Sequence, residues 1–291
     1  MRASTTAGIA VALVGVLMGG LTTPAAAQSW VTAAKSRQLR GQDFLDVKVE
    51  YAVGHFELRR GPDHLLYRLD SRYDEDAFRL STNYLESRGR GSLIIDIEGE
   101  EDIDFRDIKD YDYEAGHLRL DLSGAAPIAL SMKMGAVEAQ LDLGGLRLQR
   151  LTLETGASDT RIRFSEPNRD VAETCVFKAG AAAFKAERLG NSGCRRINIS
   201  GGVGNIELDF SGEWDYDATG SVNVGLGGVE IRVPAELGVR IEKSTFLMSF
   251  DAPDFIKQGG GVWLSRNWET AAHRLTLSVS GVLGSIEVAR L

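Results

Sequence analysis

Apolar and polar residues alternate with period two along most of the chain. Val137-Glu138-Ala139-Gln140-Leu141-Asp142-Leu143 alternates without a fault, as do Leu118-Arg119-Leu120-Asp121-Leu122, Ile206-Glu207-Leu208-Asp209-Phe210 and Val229-Glu230-Ile231-Arg232-Val233. Such a period sends successive side chains to opposite faces of a strand, one face buried and one wet. Gly144-Gly145, Asn191-Ser192-Gly193 and Gly201-Gly202 punctuate these runs and read as turns. A helical reading survives only over Trp30 to Arg40, as a short amphipathic helix or a flexible lead-in.

The strands come with a recurring phrase: an apolar or small residue, Gly, a variable residue, an apolar residue, usually an acid, and another apolar residue. It occurs as Val53-Gly54-His55-Phe56-Glu57-Leu58, Met134-Gly135-Ala136-Val137-Glu138-Ala139 and Val203-Gly204-Asn205-Ile206-Glu207-Leu208. It returns as Leu226-Gly227-Gly228-Val229-Glu230-Ile231 and Leu283-Gly284-Ser285-Ile286-Glu287-Val288, with weaker copies around Gly156 and Gly180. The near-constant interval from Gly135 through Gly156, Gly180, Gly204 and Gly227 is that of a stacked array with one repeat per rung. The expected fold is therefore all-β, a solenoid-like stack of short strands over 42–291, less regular over 42–130 and repeated over 131–291. Gly54, Gly135, Gly156, Gly204, Gly227 and Gly284 are expected to be structural turn glycines at positive φ, which a side chain would forbid.

The first residues change the compartment. Arg2 precedes an apolar stretch from Ala7 to Leu21, then Pro24-Ala25-Ala26-Ala27, and Gln28 opens polar sequence. A basic start, an apolar core and small residues at the cleavage site describe a secretory signal peptide over 1–27, cut after Ala27, with 28–41 as lead-in. The stretch is shorter than the roughly 20 residues of a spanning helix, and no later segment is long and apolar enough to span. An exported chain, periplasmic or secreted, with no membrane span once mature is expected. Net charge of −8 gives no general attraction to nucleic acid. Cys175 and Cys194 are the two cysteines. In an oxidising compartment an even pair at this spacing reads as a disulfide, with two buried thiols as the alternative.

The run from Gly135-Ala136-Val137-Glu138 through Leu141-Asp142-Leu143-Gly144-Gly145-Leu146 to Leu153-Glu154-Thr155-Gly156-Ala157-Ser158 resembles the toast-rack domain, associated with the C-terminal region of LiaF-type envelope-stress proteins. Phe246-Leu247-Met248-Ser249-Phe250-Asp251, Asn267-Trp268-Glu269 and Gly284-Ser285-Ile286-Glu287-Val288 extend the likeness over roughly 42–291. The resemblance implies a stacked β-strand array and says little about chemistry. LiaF restrains a stress-signalling system, so it also implies a regulator of an envelope-stress sensor, although this chain lacks LiaF's membrane helices.

Candidate chemistry is sparse. Asp96-Ile97-Glu98-Gly99-Glu100-Glu101-Asp102-Ile103-Asp104, continuing to Asp107, Asp110 and Asp112, offers hard oxygen ligands for Ca²⁺, but its spacing matches no EF-hand, and solvated acidic turns explain it as well. Glu57, Glu138, Glu207, Glu230 and Glu287 occupy one phase of the repeat and read as an outward ladder. Paired carboxylates for glycoside hydrolysis need unlike environments instead. The four histidines, His55, His64, His117 and His273, are scattered, and no nucleophile elbow or phosphate loop occurs. Tyr67, Tyr73, Tyr84, Tyr111 and Tyr113, with Trp214, Tyr216, Trp263 and Trp268, suit either stacking on a partner or capping the ends of the stack. No catalytic residue, cofactor or metal is assigned. The expectation is a non-enzymatic envelope module whose partner is an unknown envelope protein or polysaccharide. An envelope polysaccharide-binding or -cleaving β-solenoid protein is the alternative.

Overall fold

A computed structural model describes residues 29–99 and 116–291. The leader over 1–27 and the acid-rich run from Glu100 to Asp112 lie outside the described residues. The described chain is nearly all strand, with one 3₁₀ turn at Leu189–Ser192. The strands are β1 (Trp30–Gln38), β2 (Phe44–Gly61), β3 (Leu65–Asp74), β4 (Phe78–Ser87), β5 (Arg90–Gly99), β6 (His117–Ser123), β7 (Pro127–Asp142) and β8 (Arg147–Arg163). They continue as β9 (Ala172–Glu187), β10 (Cys194–Asp209), β11 (Ala218–Val233), β12 (Gly238–Asp251), β13 (Phe255–Gly259), β14 (Val262–Ser265) and β15 (Arg274–Arg290).

The long strands stack in parallel in the order β2-β7-β8-β9-β10-β11-β15-β12. Each of them is one rung, sharply bent. Phe177 and Phe184 of β9 have ring centroids 5.7 Å apart. Seven residues of straight strand would separate them by roughly 23 Å. The strand therefore folds back on itself at Gly180–Ala182, and its two arms face each other across the core. Parity records the bend: β9 buries Cys175, Phe177 and Ala179 before it and Phe184 and Ala186 after it. β10 does the same with Ile197 and Ile199, then Ile206 and Leu208, and Phe210 just past its end continues the second arm's parity. Gly201-Gly202 is thus a corner inside β10, not a turn between strands.

Two glycine columns line this corner, and they correct the expectation of a single set. Gly54, Gly204, Gly227 and Gly284 have φ between +133° and +139°, a region closed to side chains. Gly135 and Gly156 do not share it. They belong with Gly180, Gly202 and Gly225 in a column two residues earlier, at φ that other residues adopt. Crowding selects glycine there instead: a Cβ on Gly180 would stand 2.8 Å from Gly156 O.

The ends are closed by shorter strands whose outermost pairings are antiparallel, although β5 and β6 still lie parallel to β2. β5 and β4 cover the first arm of β2, and β6, β3 and β1 its second arm. Trp30–Gln38 is accordingly an edge strand, correcting the helical or flexible reading. Backbone bonding to β3 and the Arg72 guanidinium over the Trp30 ring at 4.0 Å hold it. At the other end β14 pairs with Arg240–Glu242 of β12, and β13 pairs with β14. The last strand in sequence is not the last rung, because β15 inserts between β11 and β12.

Candidate functional site

The outer walls carry the chain's chemistry in columns set by the parallel register. On the second arms one column runs Arg119, Glu57, Gln140, Arg161, Lys185, Glu207, Glu230, Glu287, Asp251. Four of the five repeat acids do fall in line, but bases stand among them. Lys185 Nζ lies 3.1 Å from Glu207 and 3.3 Å from Glu187, and Arg119 reaches Glu57 at 2.6 Å. Glu138 falls out of the line. It sits in the His55 and Asp159 column, its carboxylate 3.1 Å from His55 Nδ1, because its repeat was counted from the other glycine column. The expected uniform acid ladder is therefore a mixed, salt-paired wall.

The first arms present a different wall. Glu154 and Lys178 pair at 2.6 Å on β8 and β9. From β10 onward hydroxyls and amides replace the charges nearest the corner, while Arg196 of β10 and the Arg240–Glu242 pair of β12 stay charged further out. Ser221 Oγ donates to Asn198 Oδ1 at 3.0 Å, and Ser280 Oγ to Asn223 Oδ1 at 2.5 Å. Neighbouring rungs repeat at roughly 4.8 Å, so the wall is a rigid lattice of donors and acceptors.

Among the described residues one acidic group has metal-like spacing: Glu50, Asp96 and Glu98 offer carboxylate oxygens within 4.8 Å of one another. β2 and β5 bring Glu50 opposite Asp96. Asp96 and Glu98 come from the acid-rich run singled out in the sequence, while Glu50 was not legible because its approach depends on pairing. Lys48 Nζ, 2.6 Å from Glu50, already supplies a cation and holds the Glu50 carboxyl below its ordinary range. Burial, then the charges of Glu98 and Glu50, push Asp96 above its ordinary 3.8. A raised acid binds its proton more tightly in the folded chain, so its contribution is present below the unfolded value and lost as pH rises through the folded one. Asp96→Asn should consequently raise the melting temperature at neutral pH, by a gain of about 0.5–1 kcal/mol given the partial exposure. In acid, where Asp96 is protonated anyway, thermal melts of the two proteins should coincide. A variant less stable at neutral pH would show that the carboxylate is bonded rather than crowded.

The aromatics mostly pack rather than wait. Trp214 donates Nε1–H to Phe210 O at 2.8 Å and lies 5.6 Å from the Tyr216 ring, and burial pushes the Tyr216 hydroxyl up to about 12. Trp214 also borders an open depression with Leu237 and His273. Trp263 packs on Phe250 at 5.1 Å at the β12 end of the stack, and Trp268 lies beneath Arg274 at 5.7 Å. Tyr111 and Tyr113 lie outside the described residues. Cys175 and Cys194 form a disulfide joining β9 to the start of β10, with Cα atoms 5.9 Å apart and both residues fully buried.

This architecture is that of the toast-rack proteins. The family model of the N-terminal domain of toast_rack matches residues 26–185, more than half of the chain, and the protein belongs to that family. No curated protein matches it. Among solved structures it is similar to a "putative cell adhesion protein" from Clostridium sporogenes, at 14% identity over 90% of this chain and 100% of that one, with a TM-score of 0.49. A "putative adhesin" from Bacteroides fragilis shares 11% identity over 90% of this chain and 98% of its own, with a TM-score of 0.35. Another from Parabacteroides distasonis shares 10% over 89% and 97%, with a TM-score of 0.39.

Proposed function

We propose that this chain is an exported, non-enzymatic module of the bacterial cell envelope that works by offering the walls of its strand stack to a partner. The use of space carries this reading. The inward positions of both arms are filled mainly by apolar side chains, Leu151, Leu153 and Ile162 in β8 for example with only Thr155 and Thr160 buried among them, while charged groups are spent on flat exterior columns. Two-carboxylate chemistry depends on environments that push pKa values apart. Several of the wall acids are instead neutralised by bases, Glu57 by Arg119, Glu207 by Lys185 and Glu50, beside Asp96, by Lys48, which supports display over catalysis. The buried disulfide supports an oxidising compartment, and the leader over 1–27 supplies the route.

An envelope polysaccharide is the second reading for the partner, favoured by the uncharged hydroxyl and amide lattice around Ser221, Asn223, Ser278 and Ser280. A photo-crosslinking residue at Ser221, introduced into the full-length chain in living cells, separates the possibilities. Adducts outside the cytoplasm on a chain starting at Gln28 are expected, and their mass composition tells protein from glycan. Retention in the cytoplasm with Met1 in place would defeat the reading.

A further inference from the structure

The corner of the stack changes character halfway along. At its tip, between the two glycine columns, the rungs β2, β7, β8 and β9 place Val53, Ala136, Ala157 and Ala181 in register. The rungs β10, β11, β15 and β12 place Val203, Leu226, Leu283 and Leu247 there. These four are 57%, 46%, 46% and 61% exposed, and beside them Val282 is 57% and Phe246 80% exposed. They form one continuous apolar ridge about 14 Å long at ~4.8 Å per rung. The charges change with it. The corner stretches of β2, β7 and β8 begin and end with charged residues or histidine: Glu50 and His55, Lys133 and Glu138, Glu154 and Asp159. The windows 200–205, 223–228, 280–285 and 244–249 contain Ser, Thr, Asn, Gly and apolar residues, and no charge at all.

We infer that this ridge is a keel that dips into the interface of a lipid bilayer. Three features favour that occupant. The ridge stands on the outside of a bend, so it is convex, and two convex ridges meet along little area, which disfavours a second copy of the chain. Desolvating it strands no charge, and the flanking hydroxyls and amides sit where headgroups would. The acid column of Glu207, Glu230, Glu287 and Asp251 begins four residues beyond the tip, about 13 Å along the strand, further than a Debye length of about 8 Å. The acids therefore neither bind nor strongly repel the surface, and attraction comes from apolar burial, which salt does not weaken. The chemistry selects a neutral, zwitterionic bilayer surface. This goes beyond the proposed function and does not depend on it, since lipid binding is read on the purified chain and export in cells.

The test uses the chain from Gln28, so that the apolar leader cannot itself enter lipid, with sedimentation on phosphatidylcholine vesicles. Binding that persists as salt is raised, and that does not strengthen when phosphatidylglycerol is added, is expected. Phe246→Ser with Leu247→Ser should cut it roughly tenfold or more, about 1.4 kcal/mol, with an unchanged melting temperature because both side chains are exposed. Should that variant misfold, Phe246→Trp gives the same answer: its added emission should shift to the blue on vesicles and be quenched by brominated lipid. Absent binding, binding untouched by the double variant, or binding that needs anionic lipid and fades with salt would each overturn the proposal. So would a concentration-dependent dimer, lost in the double variant without any vesicle binding, which would assign the ridge to a second copy.

Discussion

Gly227→Val is expected to leave the protein unable to fold cooperatively, at a cost upward of about 4 kcal/mol against a typical total of roughly 5–15. Two penalties coincide at this position. Its φ of +137° is one that a β-branched residue cannot adopt without strain. A Cβ built there would also overlap the carbonyl oxygen of Gly204 in the rung below, just as one on Gly284 would overlap that of Gly227. The obstacle is backbone already committed to a ladder, so no rotamer change relieves it. Gly227→Ala should suffer most of the same loss. Gly156→Ala should cost only about 1–2 kcal/mol, because its φ is ordinary and its Cβ would stop 3.0 Å from Gly135 O. Thermal melts of the three purified variants decide the matter. A Gly227→Ala protein melting with the wild type would show that the corner is malleable and that the two glycine columns are equivalent.

That contrast marks how much of the fold the sequence carries. Alternation names the arms and glycine names the corners, since both are local constraints on one strand. Which glycine takes the unusual φ is not local. The phrase around Gly135 reads like the phrase around Gly204, yet they differ by two residues in register, and Glu138 is displaced from the acid column as a result. The order of the last rungs is hidden for the same reason. Arg274–Arg290 and Gly238–Asp251 carry similar patterns, and the choice to seat β15 beside β11 rests on pairings such as Gly227 with Gly284 and Glu230 with Glu287. Trp30–Gln38 misleads because an edge strand with mostly exposed side chains has no alternation to show. Of the candidate surfaces, the repeat acids are legible one by one, but the pairing of Glu207 with Lys185 and of Glu57 with Arg119 exists only once the rungs are stacked. The apolar ridge is visible in hindsight as three phrases that begin with a large residue ahead of glycine, at Val203, Leu226 and Leu283, joined by Leu247 ahead of Met248. Nothing in the sequence by itself tells such a residue from a core position.

Removing the Cys175–Cys194 bridge is the second large effect. Cys175→Ala with Cys194→Ala should lower stability by about 3 kcal/mol, the loop-closure entropy expected for a ring of roughly 20 residues. For a chain of this size that corresponds to a fall in melting temperature of several degrees. The bridge encloses most of β9 and the irregular connection from it to β10. Between β9 and β10 the chain makes the Leu189–Ser192 turn, whose polar groups are buried and must be bonded internally. Asn191 does most of this, donating Nδ2–H to Phe164 O at 2.9 Å and accepting from Glu213 N–H at 2.8 Å, while Ser192 Oγ accepts from Cys194 N–H at 3.2 Å. In the unfolded chain the bridge keeps the start of β9 tied to the start of β10, so its loss should be felt mainly as slower refolding. Because both sulfurs are fully buried, a reductant added to the native protein should do nothing until the fold opens, and the reduced chain should then refold to a stability close to that of the double-alanine variant. Chemical denaturation with and without reductant, beside the double-alanine variant, separates these effects. A variant with an unchanged denaturation midpoint would mean that the core around Cys175, not the covalent link, holds β9 and β10 together.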